Sequence, residues 1–579
     1  SGNATITDAV MKLDANSRIS LSNNDSGGTG GADSTSGNTT LGYLAGEDIA
    51  SGSTGNTLIG HGSGKNITTG DQNVAIGGLA LDALTTGGFN TAIGYSALSS
   101  VAEGERGNIA IGQSTMANFD EGNGTVDDNI AIGYEAFIGA DVLSTGNSIT
   151  HNIAIGKSAL AASGNNAQLG TVAIGSSALT ALTTGSQNTA LGYESGKALT
   201  IGRYNTALGW RALLAEDVGD KSVAIGNNSL GNQESTGDND TAGNIGIGYN
   251  AGYNNVTGKD NVYIGLNAGT GGTGSNSENV GVGKDALLDI TTGLSNTCVG
   301  AYAGESITDG DYNVFLGRLA GQVTTGVQFA IGIGNNALGD GNVTTAANGT
   351  IAIGHNALTL LEDGGKNIAI GYECLDAQTD GERNIGIGYG ALTAMDSGED
   401  GNIGIGYLAG DSVDNPLSVD NVYIGDEAGR GGTGAAIGNI AIGAHAMDGT
   451  TSNAQTGTIA IGHEALTALT TGARNTAVGY QASKVLTTGV DNTSLGYTAL
   501  DELVDGSGNT AIGSYALGDM VGGTTSDGSS NNTALGYNAA GGTWANQDCS
   551  NIVAIGHNAL AGALAGDTAD GTVAVGKSA

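Results

Sequence analysis

The chain has little of what an ordinary globular domain is built from. Of its 579 residues one is proline (Pro416), three are cysteine, two are tryptophan and five are phenylalanine. A collagen triple helix is excluded, because it needs abundant proline and a strict three-residue glycine period. Cys298, Cys374 and Cys549 are odd in number and far apart, so no disulfide framework is expected. Charged residues make up only 13% of the chain while 39% is apolar, a balance that does not fit a disordered chain. No apolar run approaches the ~20 residues of a membrane-spanning helix. Basic residues are scarce: 18 Lys and Arg stand against 56 Asp and Glu, a formal net charge of −38. Such a surface repels phosphate, so nucleic acid is not an expected partner. Solubility and self-repulsion explain the charge, and collection of Ca²⁺ or other cations on acidic loops is the sharper alternative.

What is abundant is glycine, with 106 residues, and its placement is periodic. Asn90-Thr91-Ala92-Ile93-Gly94-Tyr95-Ser96-Ala97-Leu98 returns as Asn152-Ile153-Ala154-Ile155-Gly156-Lys157-Ser158-Ala159-Leu160. It returns again as Asn367-Ile368-Ala369-Ile370-Gly371-Tyr372 and as Asn475-Thr476-Ala477-Val478-Gly479-Tyr480. About thirty such copies, most often 17 residues apart, run from Gly42 to Gly576. The marker is the glycine that closes each short strand, among them Gly77, Gly94, Gly112, Gly156, Gly209, Gly371, Gly479 and Gly556. Longer spacings, Gly133 to Gly156 and Gly513 to Gly536, predict loop insertions. Residues 1–36 form a lead-in outside the repeats, and residues 37–579 form the repeat shaft.

Alternation places Thr91 and Ile93 on one face of the strand and Ala92 and Gly94 on the other. The Thr, Val, Ile and Leu face suits a buried pleated surface. The Ala/Gly face admits a second backbone at close range. A second extended piece is expected after the glycine, then an apolar slot seven residues on at Leu84, Leu199, Ile290 and Leu486. A turn follows, often Thr-Thr-Gly as at Thr85-Thr86-Gly87, Thr291-Thr292-Gly293 and Thr487-Thr488-Gly489, where glycine would supply a positive φ. Each repeat is then one coil of a β-solenoid, two short strands and two turns. So small a coil cannot fill itself with bulky side chains. The Ala/Gly face is therefore expected to be covered by identical neighbours around a three-fold axis. The leading Asn either stacks from coil to coil and caps turn groups, or simply favours the turn.

Asp220-Lys221-Ser222-Val223-Ala224-Ile225-Gly226-Asn227-Asn228-Ser229 and Thr171-Val172-Ala173-Ile174-Gly175-Ser176-Ser177 resemble the head repeats of trimeric autotransporter adhesins. That family's S-V-A-I-G-x-x-S motif implies a left-handed parallel β-roll three chains wide. As a whole the chain is similar to fibre proteins of marine tailed phages. Its opening, Met11-Lys12-Leu13-Asp14-Ala15-Asn16-Ser17-Arg18-Ile19-Ser20-Leu21-Ser22, resembles the segment that leads into such repeats there. In those proteins a C-terminal chaperone domain often follows and is cleaved off. A chain that begins at Ser1 without a signal peptide and stops in mid-repeat at Val575-Gly576-Lys577-Ser578-Ala579 is expected to be trimmed or processed.

Candidate chemistry is sparse. Gly571-Thr572-Val573-Ala574-Val575-Gly576-Lys577-Ser578 satisfies the phosphate-loop pattern, but no helix can follow it, and it aligns with the ordinary repeat Thr171–Ser177. His61, His355, His463 and His557 stand directly after the repeat glycine, where Tyr95, Tyr193, Tyr249, Tyr389 and Tyr497 stand in other coils. They read as flat half-polar filler, and a His triplet around a trimer axis is the metal-binding alternative. Cys298 and Cys374 take positions held elsewhere by Ala and read as small core residues. The acidic pairs Asp127-Asp128, Asp238/Asp240 and Glu399-Asp400 fall in inter-motif loops and read as solvated charge, with cation binding second. The Tyr slot is expected to pack on the next coil rather than to form a stripe for sugars.

The expected fold is all-β: a parallel left-handed β-roll or β-solenoid of about thirty short coils, intertwined or side by side in a homotrimeric rod. The expected function is structural and not enzymatic, with no catalytic residue, no cofactor and no committed metal ligand. The chain would be the trimeric shaft of a phage tail or head fibre that supports host-surface attachment. Its expected partners are copies of itself, a virion or cell-surface anchor, and a host receptor met through a distal tip. Its place would be the virion or the extracellular surface. The head of a bacterial trimeric autotransporter adhesin is the alternative, and a monomeric solenoid binding ice or polysaccharide is a third reading.

Overall fold

A computed structural model describes residues 37–50, 52–119, 125–139, 148–162, 168–237, 241–449, 454–518, 528–542, 544–545, 549–562, 564–565 and 570–579. The lead-in 1–36 lies outside the described residues. The chain is an all-β parallel solenoid of about 27 coils, without an α-helix among the described residues. It divides into two compact units, Ser1–Leu266 with Thr273–Ser275, and Asn267–Gly272 with Asn276–Ala579.

In the first unit three-residue strands run from Thr39–Leu41 to Val262–Ile264, each parallel to the next and in register. Thr91 stands on Ile109, Ala92 on Ala110 and Ile93 on Ile111. The second unit repeats the arrangement from Val280–Val282 to Val573–Val575. The predicted insertions leave the register untouched: Ile130 pairs with Ile153 and Thr510 with Thr533 across the long spacings. Some insertions add small ladders of their own, as Thr125–Asp127, Ser148–Thr150 and Gln168–Leu169 do in the first unit.

The two strand faces are the reverse of the expected assignment. From Thr57–Ile59 onward the central residue of the stacked strands is buried, while its two flanking residues are half-exposed or exposed. Ala92, Ala110 and Ala369 point into the coil, and Thr91 and Ile93 point out of it. The coil closes on itself because the return segment supplies the bulk. Leu84, Leu98, Leu199, Ile290 and Leu486 are all fully buried. Alanine is the usual residue opposite them because the cross-section is narrow, so the chain's own side chains fill the interior.

The segment after the glycine also differs from expectation. It is no second strand, since alternate residues take a left-handed conformation: Ser96 has φ +51° and Leu98 φ +52°. A leucine there costs roughly 1–2 kcal/mol. Offsetting this, Leu98 is buried and its amide donates to Thr115 O in the next coil at 2.9 Å. Nor does the Thr-Thr-Gly glycine supply a positive φ, for Gly87, Gly293 and Gly489 are absent from that region of backbone space. They are glycine because a Cβ would strike the next coil's carbonyl, Glu105 O in the case of Gly87.

Candidate functional site

Four features recur in every part of the solenoid, and each follows from a residue type that repeats. The strand-ending glycines come first. Gly77, Gly94, Gly112, Gly156, Gly209, Gly371, Gly479 and Gly556 all have φ between +131° and +150°. Only glycine populates this region readily. A Cβ on each would also overlap the carbonyl of the next coil's own glycine, Gly112 O above Gly94 and Gly388 O above Gly371. Their role is therefore architectural, setting the distance between coils within the chain.

The leading asparagines form ladders. The Oδ1 of Asn73 accepts from the Asn90 amide at 3.0 Å and from Asn90 Nδ2 at 3.1 Å. Asn90 Nδ2 also donates to Glu105 O at 2.8 Å, holding the turn of the next coil. The run Asn56, Asn73, Asn90, Asn108, Asn129 and Asn152 is unbroken and buried. Asn475, Asn492, Asn509 and Asn532 make another. Where Thr171 or Thr458 replaces the asparagine, the lost donor is made up nearby. Gln168 Nε2 donates to Thr183 O at 3.2 Å, and Gln455 Nε2 to Thr470 O at 2.9 Å. Of the two readings of this asparagine, the ladder is the one observed.

The third feature is the ring slot. Tyr372 stacks on Tyr389 at 5.2 Å with 3° between planes, and Tyr389 on Tyr407 at 5.4 Å. The histidines join the same stacks: His61 on Tyr43, His355 on Tyr372, His463 on Tyr480 and His557 on Tyr537, at 5.1–5.5 Å. In these stacked runs the ring faces are spent on their neighbours, and edges and hydroxyls meet solvent. Elsewhere the slot is looser: Tyr497, Tyr515 and Tyr537 meet edge to face, and Tyr95 and Tyr249 are half-exposed. The stacked runs read as packing between coils.

The fourth is the outward strand face. Its third residue is the most exposed: Leu191, Leu208, Val299, Ile370, Leu495 and Leu535 are open by 36–47%. With the first-position Thr, Val or Ile, these side chains make a largely apolar column down each unit that is left partly exposed among the described residues.

The remaining candidates resolve one by one. The phosphate-loop match is an ordinary coil: Val573–Val575 pairs in register with Val553–Ile555, and Ser578 N donates to His557 O at 2.8 Å. Cys298 and Cys374 are buried core residues, and burial pushes the Cys374 thiol up to about 12, far from a reactive thiolate. The acidic pairs are more structured than solvated charge. Asp127 and Asp400 accept the amides of Arg106 and Glu382 in the preceding coil at 2.7 Å. Asp128 faces His151 at 3.8 Å. Glu399 is not solvated at all but fully buried. Asp238 and Asp240 lie outside the described residues.

One further packing device has its signal in the sequence, in the residue type four after the strand-ending glycine. Where the strand centre is large, the position four after the glycine, usually Leu, is glycine. Phe315 is matched by Gly321, Tyr423 by Gly429, Leu58 by Gly64 and Cys298 by Gly304, and a Cβ on each glycine would run into its partner. Within these coils the large centre is thus balanced by the missing side chain opposite it. In comparisons with known proteins, no family model matches the chain and no curated protein matches it.

Proposed function

We propose that the chain is a structural fibre shaft that works as a bundle of identical copies, the trimeric shaft of a virion's tail or head fibre. The observation that carries this reading is the apolar outward column. An apolar sheet face in water calls for a covering surface. The column repeats at every coil, so the partner that matches it level by level is another copy of the same solenoid. Three copies around one axis bury all three columns against each other and leave the acidic turns outside. The repeats' similarity to trimeric autotransporter adhesin heads points to the same number.

The mechanism is mechanical and multivalent. The shaft sets the distance of a receptor-binding tip from its anchor and presents the tip in three copies, so that weak contacts add as avidity. Near-identical coils offer no single distinctive cluster of anchors of the kind recognition uses. No catalytic step is assigned to any residue. The extracellular or virion surface is the setting this reading implies.

Light scattering on the purified full chain tests the assembly. The expected mass is three times the 56.6 kDa of one chain. A stable species of one chain mass overturns the shaft reading. Labelled trimer should bind host cells weakly, and saturable high-affinity binding favours an adhesin head instead.

A further inference from the structure

We infer that Asp396, Glu399 and Asp414 form a Ca²⁺ site that joins two successive coils of the second unit. One ligand oxygen from each of the three carboxylates lies within 4.8 Å of the other two. Asp396 and Glu399 come from the coil between strands Ile385–Ile387 and Ile403–Ile405, and Asp414 from the next, before Val422–Ile424.

Acidic clusters are common on so acidic a chain, and the buried member sets this one apart. Glu399 is fully buried, and neither of its carboxylate oxygens has a hydrogen-bond partner. An unpaired carboxylate is unfavourable in a buried site. The fold does not require it, because Gly70, Gly87, Gly381 and Gly489 hold the same place, three before the ladder asparagine. Asp396 and Asp414 face Glu399 and add repulsion to desolvation, so its carboxyl is pushed up to about 7. The nearby backbone amides of Glu399 and Asn415 oppose that rise. No basic side chain contributes at this point, whereas the other comparable cluster, Glu427, His445 and Asp448, already holds Arg430 at 3.2 Å from Glu427.

The surrounding chain is well fixed. Asn384 Nδ2 donates to Glu399 O at 2.6 Å, and Ser397 N to Asp396 Oδ1 at 2.6 Å. Asn415 accepts the Leu417 amide at 3.0 Å and donates to Thr433 O at 3.0 Å, holding the turn that carries Asp414. Three hard oxygen donors and no nitrogen or sulfur select an alkaline-earth ion over zinc. Ca²⁺ accepts roughly six to eight oxygens in flexible geometry, whereas Mg²⁺ demands a near-ideal octahedron and keeps most of its waters, so a half-built carboxylate set of this kind suits Ca²⁺ better. Water and main-chain carbonyls complete the shell.

The test is calorimetric titration of the full chain with CaCl₂ at pH 8, in 150 mM NaCl and excess Mg²⁺ to quench diffuse binding. One site per chain is expected, with Kd on the order of 10⁻⁴ M, as in extracellular modules. Glu399→Gly, which restores the residue of the neighbouring coils, should abolish it. Asp414→Asn, an exposed change that leaves folding intact, should weaken it at least tenfold. Glu427→Gln should leave the titration unchanged. Isotherms equal to wild type in both Glu399→Gly and Asp414→Asn, or no saturable Ca²⁺ binding in the presence of the excess Mg²⁺, overturn the site.

Discussion

Interior volume is conserved between the strand centre and the return segment, and a double-mutant cycle at Phe315 and Gly321 tests this directly. The common coil has Ala at the centre and Leu four after the glycine, as in Ala92 and Leu98. The variant coil has Phe315 and Gly321, and a Cβ on Gly321 would overlap the Phe315 ring. The backbone does not forbid the exchange, since Gly321 has φ +59° where Leu98 has +52°. Phe315→Ala alone opens a cavity and should cost about 3–5 kcal/mol. Gly321→Leu alone takes about 1–2 kcal/mol for its left-handed conformation and a further ~1–3 kcal/mol for overpacking. Made together they rebuild the common coil. Only the conformational cost and a methyl-sized gap beside Gly332, roughly 2–3 kcal/mol, should remain. The coupling is thus about 3 kcal/mol or more, and favourable. A long solenoid need not unfold in one step, so the assay is hydrogen exchange at the amides of Val314 and Ile331, which bond to neighbouring coils at 2.9 Å. Additive losses in the double variant would falsify the volume argument.

Three further outcomes are expected. Asn492→Ala strands Gly506 O and the Asn509 amide, both buried, leaves Asn509 Nδ2 only its bond to Ser529 O, and should lower local stability by about 2 kcal/mol or more; unchanged exchange at Asn509 contradicts the ladder. Gly371→Ala, forced to φ +150° against Gly388 O, should cost at least ~2 kcal/mol, against ~1 kcal/mol for Gly457→Ala, where φ is +61° and the space is open. Equal losses refute the close-stacking role of the strand-ending glycines. Glu399 carries a pH signature in Ca²⁺-free buffer. Its carboxyl is raised from 4.5 to about 7 in the folded chain. The unfolded chain gives up this proton first, so stability falls as pH rises between those values and levels off above them. Exchange protection near Asn402 should show this fall in wild type and not in Glu399→Gln, and a rise across that window refutes it.

The parts of this fold that a sequence reveals are those set by local periodicity. Thr91-Ala92-Ile93-Gly94 states the strand, its end and its alternation, and the 17-residue return states a stacked coil. What alternation cannot state is which face points inward. Thr and Ile beside Ala suggest the larger residues inside. The narrow coil inverts this, because Leu84 and Leu98 arrive from the return segment and leave room only for alanine. The left-handed Leu98 was equally hidden, since leucine seldom adopts that conformation and it is sustained by burial and by the bond to Thr115 O in the next coil. Glu399 looked like loop charge because its burial depends on the turn of the following coil, where Pro416 packs beside Gly398. The asparagine ladder and the ring stacks were legible, because identical residues at equal spacing in a parallel register must meet.

The face reversal moves the proposed contact between copies from the Ala/Gly surface to the outward column, and cysteine cross-linking reads that difference most directly. The native cysteines are buried, so a single new surface cysteine reports alone. Leu495→Cys lies on the column and Tyr497→Cys on the ring stripe two residues away, with 47% and 46% exposure. A short bis-maleimide should link chains in pairs through position 495 and leave position 497 uncoupled. Efficient linking at 497 with none at 495 would place the shared surface elsewhere and contradict the account.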